Sequence, residues 1–350
     1  LTMEYSGFPQ ESLPTMQGGK ELSREYLCLE NSALSPRVMN VMPGDAGYPA
    51  EIEITLPENM LAIPFGSSEA EVVAEHEDGT RTWRYEQNGA GGILYAGDYI
   101  REDIQAGGMT IQFYYGRKHQ AVMEAAKAVD AVKEVVDYCT EHYGSLSFGT
   151  GETLKLIQSR VAGGGYATTG ASLLDEADFT AANLGNAEKG GGAGEVMIHE
   201  LVHQWWGLGN MFDSDDPASP WSAEGLTVYT TYRIVKELYG EDYAQEHYVD
   251  QWQKAVDDYY LNFYVRNPEY LEMLPEQVQL AISNSLSQVR QYNEMPLKIY
   301  KAEQLAGGEE AMDQILHELF NRELDPMYPY LTYEEFLSAC ALTEEDLNLG

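Results

Sequence analysis

Hydrophobic and polar positions change their period once along the chain, near Gly116. Before that point the period is two. Glu51-Ile52-Glu53-Ile54-Thr55-Leu56 alternates polar and apolar residues, as a half-buried strand does. Val72-Val73 and Thr82-Trp83-Arg84-Tyr85 flank Asp78-Gly79, a hairpin signal. Met109 to Tyr115 alternates again and puts Ile111, Phe113 and Tyr115 on one face. Strands separated by Gly, Pro and Asp turns predict a sheet or sandwich. Leu1 to Tyr48 carries no regular pattern.

After Gly116 the spacing becomes helical. Val122, Ala125, Ala126, Val129, Val132, Val136 and Cys139 fall on one helix, and Gly144 is placed to cap it. A strand over Thr153 to Ile157 follows, then a glycine-rich loop from Gly163 to Gly170. Most long periodic segments beyond it read as helices. The expectation is an α+β chain: a β-rich N-terminal domain over 1–116, then a mainly helical domain over 117–350.

Composition narrows the function. With 44% hydrophobic residues the chain can bury a sizeable core. Lys+Arg 21 against Asp+Glu 57 gives a net charge of −36, a field that repels nucleic acid and anionic lipid. No apolar run is long enough to cross a bilayer. Cys28, Cys139 and Cys340 are scattered and form no C-x-x-C, which argues against a thiolate zinc site or a disulfide scaffold. The start at Leu1 carries no signal-peptide pattern. The expected source is the soluble region of a secreted or membrane-tethered protein, with a cytoplasmic fragment as the alternative.

The sharpest chemical signal is His199-Glu200-Leu201-Val202-His203. Residues four apart on a helix share a face, so both imidazoles reach one zinc ion. Glu200 sits one step round, where its carboxylate contacts a water to be activated. Ile198, Leu201, Val202 and Trp205 form the stripe expected to face the core; His199, His203 and Trp206 lie on the neighbouring stripe. The third ligand expected is Glu224, after Ser222 as helix N-cap and ahead of the stripe Val228, Tyr232, Val235 and Tyr239, with Gly240 as the stop. A carboxylate on an inward stripe is costly unless it is paired or ligating.

HELVHQWWG followed by WSAEGLTVY resembles the aminopeptidase N family of gluzincin metallopeptidases. The family pattern has eighteen residues between the second His and the ligand Glu; this chain has twenty between His203 and Glu224, which places a two-residue insertion within 211–220. The resemblance implies a thermolysin-like catalytic domain, one zinc ion held by His199, His203 and Glu224, and Glu200 as general base. It implies a peptide substrate and a tyrosine that stabilises the oxyanion. The matching residue is Tyr292, with Tyr300 as the nearest rival; Met295 stands where the family has Gly.

The family's G-A-M-E-N stretch matches Gly164-Gly165-Tyr166-Ala167-Thr168-Thr169-Gly170. Gly164, Gly165 and Tyr166 are the substrate-binding candidates, with glycines allowing close backbone approach. The acid that binds a substrate's free amine in the family is missing, because Ala167 occupies its place. Asp175, Glu176 and Asp178 read as a solvated acidic loop. Gly190 to Gly194 reads as a flexible loop, and Trp205, Trp206 and Trp221 as cleft or core residues. The expected function is a zinc metallopeptidase, aminopeptidase-like but with altered N-terminus recognition. The alternative is a catalytically inactive peptidase fold that binds peptides. Lipid-epoxide hydrolysis, found in one branch of the family, has no specific support in these residues.

Overall fold

The computed structural model describes residues 21–22, 26–30, 50–64, 68–87, 93–146, 153–159, 165–180, 193–208, 221–325, 327 and 330–349. Two units are distinguished: 1–133 with 149–186 and 192–200, and 134–148 with 187–191 and 201–350.

In chain order the strands are β1 (Glu21–Leu22), β2 (Tyr26–Glu30), β3 (Ala50–Pro57), β4 (Leu61–Pro64), β5 (Ala70–Glu75) and β6 (Thr80–Gln87). β7 (Ile93–Gly97), β8 (Tyr99–Ala106), β9 (Met109–Gly116), β10 (Thr153–Ser159), β11 (Gly165–Thr168) and β12 (Ala171–Asp175) follow. They form three sheets, ordered β3-β6-β5, β1-β2-β7-β4 and β11-β12-β10-β9-β8. β10 runs parallel to both β9 and β12, and β8 and β11 close the five-stranded sheet antiparallel.

The four-stranded sheet is a middle layer, and its two-residue period shows how. Tyr26, Cys28, Ile63 and Tyr95 pack with Tyr99, Tyr114, Ile157 and Leu173 of the five-stranded sheet. Their neighbours Leu27, Ala62, Leu94 and Ala96 pack with Leu56, Trp83 and Tyr85 of the three-stranded sheet. Successive side chains alternate across each strand, so one short strand serves two cores.

The predicted strand over Glu51–Leu56 and the hairpin at Asp78-Gly79 are present as β3 and as β5–β6. Asp78 accepts from both the amide and the hydroxyl of Thr80, which closes the turn. β9 differs from the expected half-buried strand: Gln112 and Tyr114 are buried along with Ile111, Phe113 and Tyr115, because the four-stranded sheet packs on the Tyr114 face. The boundary expected at Gly116 falls at the end of β9, a strand that pairs with β10 beyond it.

Among the described residues the α-helices longer than four residues are α1 (Gln120–Ala126), α2 (Ala128–Tyr143), α3 (Ala193–Val202), α4 (Glu224–Tyr239), α5 (Asp250–Leu261), α6 (Glu276–Val289), α7 (Met295–Ala306), α8 (Glu309–Phe320) and α9 (Tyr333–Ala339). The single helix expected after Gly116 is therefore two. Lys127 adopts the left-handed conformation at φ 52 and ψ 38, and its N–H turns back to Glu124 O. Apolar spacing runs through such a break without registering it. The β-rich part followed by helices is the α+β arrangement expected.

α4 is buried from Gly225 through Val235, on every face rather than along one stripe. Its polar side chains are satisfied internally. Arg233 donates to Tyr229 Oη at 2.9 Å and Asp313 Oδ2 at 3.0 Å, and Tyr229 donates to Glu303 Oε2 at 2.6 Å. Trp205, Trp206 and Trp221 all lie in the core rather than lining a cleft. Trp206 donates to Thr230 Oγ1 at 2.9 Å and stacks edge-on against Tyr143 and Phe320. Cys28, Cys139 and Cys340 are buried free thiols. Among the described residues, no helix is long and apolar enough to cross a membrane.

Candidate metal centre and active site

α3 carries His199 to Val202 at its C-terminal end, and His203 completes the H-E-x-x-H segment in the turn that follows. Met197, Ile198, Leu201 and Val202 are buried and hold the helix against the core, as the stripe predicts. Trp205 anchors the turn that follows by donating its indole N–H to Gly144 O at 2.8 Å. Gly144 suits this close fit: its φ is 109°, and a Cβ there would meet the Asn321 amide at 2.9 Å. The Gly190–Gly192 part of the expected flexible loop and the insertion segment 211–220 lie outside the described residues.

Glu224 opens α4. The N-cap is Ala223, in a helical conformation and without a side-chain bond, so Ser222 does not cap the helix as expected; it is buried one residue earlier. Gly240 does end the helix, at φ 94.

His199, His203 and Glu224 each offer one ligand atom, and these atoms all lie within 4.8 Å of one another. His203 Nε2 stands 3.5 Å from Glu224 Oε2. Two donors bound to one tetrahedral zinc at ordinary bond lengths lie about 3.3 Å apart, so the spacing fits such an ion. On the other side of the ring, His203 Nδ1 stands 3.2 Å from Thr227 Oγ1 and 3.3 Å from Trp206 O. The Trp206 carbonyl can only accept, so Nδ1 carries the proton and Nε2 keeps its lone pair toward Glu224. Thr227 is fully buried on α4, one turn beyond Glu224. The sequence signal for this residue is a hydroxyl on an inward helical stripe, one turn beyond the expected ligand.

Glu200 is 6% exposed. Ser172 of β12 donates to its backbone carbonyl at 2.8 Å and so ties α3 to the sheet. Within the expected glycine-rich loop, Gly165–Thr168 is instead β11, the edge strand of that sheet among the described residues, paired antiparallel with β12 from Gly165↔Leu174 to Thr168↔Ala171. Gly165 approaches Glu200 directly: a Cβ built on it would lie 2.3 Å from Glu200 Cγ. The close approach that the glycines allow is thus to the base candidate's own side chain. Tyr166 and Ala167 are half-buried along the same edge, while Gly164 lies outside the described residues. Asp175 and Glu176 are partly exposed, and each also has a partner. Asp175 accepts from Ala177 N at 3.0 Å to cap a short turn, and Glu176 pairs with Lys118.

Tyr292 is half-buried in a π-helical turn, Arg290–Glu294, between α6 and α7. Such turns insert one residue into a helix and recur at functional sites. This one is pinned through buried Glu294, which accepts from Tyr260 at 2.9 Å and Arg290 at 3.1 Å. The turn packs against α4, the helix that Glu224 opens. Tyr300 packs its ring edge-on against Tyr232, with centroids 5.7 Å apart.

No protein-family model matches the chain. The leukotriene A-4 hydrolase of Xenopus laevis is 31% identical over 115 residues, 33% of this chain and 18% of that protein. The leucine aminopeptidase 2 of Emericella nidulans is 32% identical over 81 residues, 23% of this chain and 12% of that protein. The matched segments thus span less than a fifth of these curated relatives. Among solved structures, the M1 zinc metallopeptidase of Deinococcus radiodurans aligns with a TM-score of 0.51 at 18% identity, covering 85% of this chain and 61% of that one. A two-domain M1 zinc metallopeptidase variant bound to L-arginine aligns with a TM-score of 0.54 at 19% identity, over 98% of this chain and 72% of that one. Yeast LTA4 hydrolase in complex with bestatin aligns with a TM-score of 0.51 at 15% identity, over 83% and 43%. The solved structures establish a shared fold. Together with the sequence matches, they make this chain similar to M1 aminopeptidases and support a peptidase-like hydrolase.

Proposed function

We propose that the chain is a zinc metallopeptidase that hydrolyses peptide bonds, aminopeptidase-like but with altered recognition of the substrate's N-terminus. One observation carries the reading: two imidazoles and a carboxylate converge within 4.8 Å, with the Glu200 carboxyl group next to His199 on α3 and His203 in the turn that follows. His199, His203 and Glu224 would hold one zinc ion. Zinc, when bound, supplies Lewis acidity toward the attacking water and the scissile carbonyl.

The chain's own groups do the rest. Glu200 accepts the proton of the attacking water and later delivers it to the departing amine. Its burial next to β11 keeps it oriented and excludes bulk solvent. The Tyr292 hydroxyl donates a hydrogen bond to the oxygen that gains charge in the tetrahedral state. β11, as an edge strand, accepts an extended peptide by strand addition, with Gly165 and Tyr166 supplying backbone partners. Ala167 gives a substrate ammonium no carboxylate on this strand. Affinity for a free N-terminus therefore lacks the charge-assisted bond that an acid would make.

The test is zinc-dependent hydrolysis of a peptide library, with each peptide offered as the free amine and as its N-acetyl twin. Comparable turnover of both, lost on chelation and lost in Glu200→Gln with zinc retained, supports the proposal. Strong preference for the free amine overturns the altered-recognition part. Bound zinc with no hydrolysis overturns the peptidase and leaves a peptide-binding fold.

A further inference from the structure

A second site lies in the five-stranded sheet. The carboxyl ends of its three parallel strands border a cavity of about 250 Å³, to which β9 contributes Gly116, β10 Gln158 and the end of β12 Glu176. Crevices outside the carboxyl ends of parallel strands are where such sheets bind small ligands. At this volume the cavity falls just below the range of drug-sized sites, about 300–1,000 Å³. Its described lining includes none of the residues His199, Glu200, His203, Glu224 or Tyr292.

Gln158 makes this a built site. It is 98% buried, at 2% exposure. Its Oε1 accepts from Gly116 N at 2.8 Å and faces His119 Nδ1 at 3.1 Å. The Gly116 donor fixes which end of the amide is oxygen. The Nε2 hydrogens have no partner among the described residues, and the side chain borders the cavity. An amide donor held beside the cavity in this way is available to an acceptor on a ligand.

The charges at the rim define that ligand. Arg117 pairs with Asp98 at 3.0 Å and Lys118 pairs with Glu176. Both cations are more than half exposed, so these ion pairs are weak and can be exchanged for partners on a ligand. Two cations and two carboxylates match a molecule that is neutral overall and carries one separated charge of each sign. Tyr26 and Tyr99 supply aromatic wall. We propose that this cavity binds a free α-amino acid or dipeptide. The carboxylate takes Gln158 Nε2 with Arg117 and Lys118, and the ammonium takes Asp98 and Glu176. The inference does not depend on the peptidase reading.

Calorimetric titration of the whole, zinc-loaded chain with L-phenylalanine tests it, repeated after chelation. Binding is expected, and it survives chelation. A hydrogen bond to a charged group carries enough free energy for Gln158→Met and Lys118→Ala each to weaken it about tenfold or more. N-acetyl-L-phenylalanine and L-phenylalaninamide, which lack one charge each, bind about tenfold weaker by the same reasoning. Lys118 is exposed, so its variant reads out the site even if Gln158→Met does not fold. Three outcomes overturn the proposal: no heat at millimolar ligand, binding unchanged in the variants, or binding lost on chelation.

Discussion

Gly165 lies against Glu200 so closely that a β-carbon on it would stand 2.3 Å from Cγ and 2.7 Å from both Cδ and Oε1. β11 is held by its pairing with β12, so the strand cannot simply retreat. Gly165→Ala must displace the Glu200 side chain. A shift of about 1 Å in a reacting group lowers turnover about 10²-fold. The expected result is that loss in kcat/KM for a peptide substrate with zinc content unchanged. Wild-type kinetics in Gly165→Ala would remove Glu200 from the role of base.

His203 and Thr227 give a prediction that needs no turnover. Thr227 Oγ1 lies 3.2 Å from His203 Nδ1 and is held in α4, where Thr231 also donates to the Thr227 carbonyl at 2.8 Å. Groups that orient a ligating imidazole are worth about 10–100-fold in metal affinity. Thr227→Val should weaken zinc about tenfold, the lower bound, because Trp206 O still faces Nδ1. Thr227→Ser should restore it. Competition against a chromophoric chelator measures both. Equal affinity in all three proteins would leave Thr227 as packing only.

The same region shows what a linear sequence can and cannot reveal. His199, His203 and Glu200 were legible because helical geometry alone puts residues four apart on one face. Glu224 was legible only with the upstream motif, which gives a carboxylate on an inward stripe a reason to be there. β11 was not: a run of three glycines ending at Gly165 signals a loop, and what holds Gly165–Thr168 as a strand is β12 on one side and Glu200, thirty-five positions on, pressing against Gly165. Local propensity lost there to a tertiary contact. The same holds at Lys127, where an apolar period continued through a left-handed residue. The stripe read on α4 was too narrow, because a helix buried on all sides carries polar residues wherever partners exist, as Thr230 and Arg233 do.

Tyr292 and Tyr300 are separable by substitution. Tyr300 sets its ring edge-on against Tyr232, a packing contact. Tyr292→Phe should retain zinc and lower turnover about 10²–10³-fold, the loss seen when one oxyanion donor is removed. Tyr300→Phe should leave turnover near wild type. The reverse outcome in steady-state kinetics would move the oxyanion role to Tyr300.

A final prediction concerns the network behind α4. His142 Nδ1 lies 3.0 Å from Asp313 Oδ2, which also accepts from Arg233 at 3.0 Å, and the imidazole stacks on Tyr138. The bond to Asp313 raises the His142 pKa above its ordinary 6.5, with burial opposing. For Asp313, burial pushes the pKa up, but the bonds from His142 and Arg233 outweigh it and hold the carboxyl below its ordinary 3.8. A raised histidine stabilises the fold fully below the unfolded value and loses that contribution as pH rises through the folded value. A depressed carboxyl loses its own contribution only as pH falls through its lowered value. Replacing His142 by Asn, which does not titrate, should therefore lower Tm most in the mildly acidic range. The gap to wild type should shrink as pH climbs past the folded His142 value. Thermal melts of both proteins from about pH 5 to 9 measure this. A gap of constant size across that range would mean that His142 does not gain charge against Asp313.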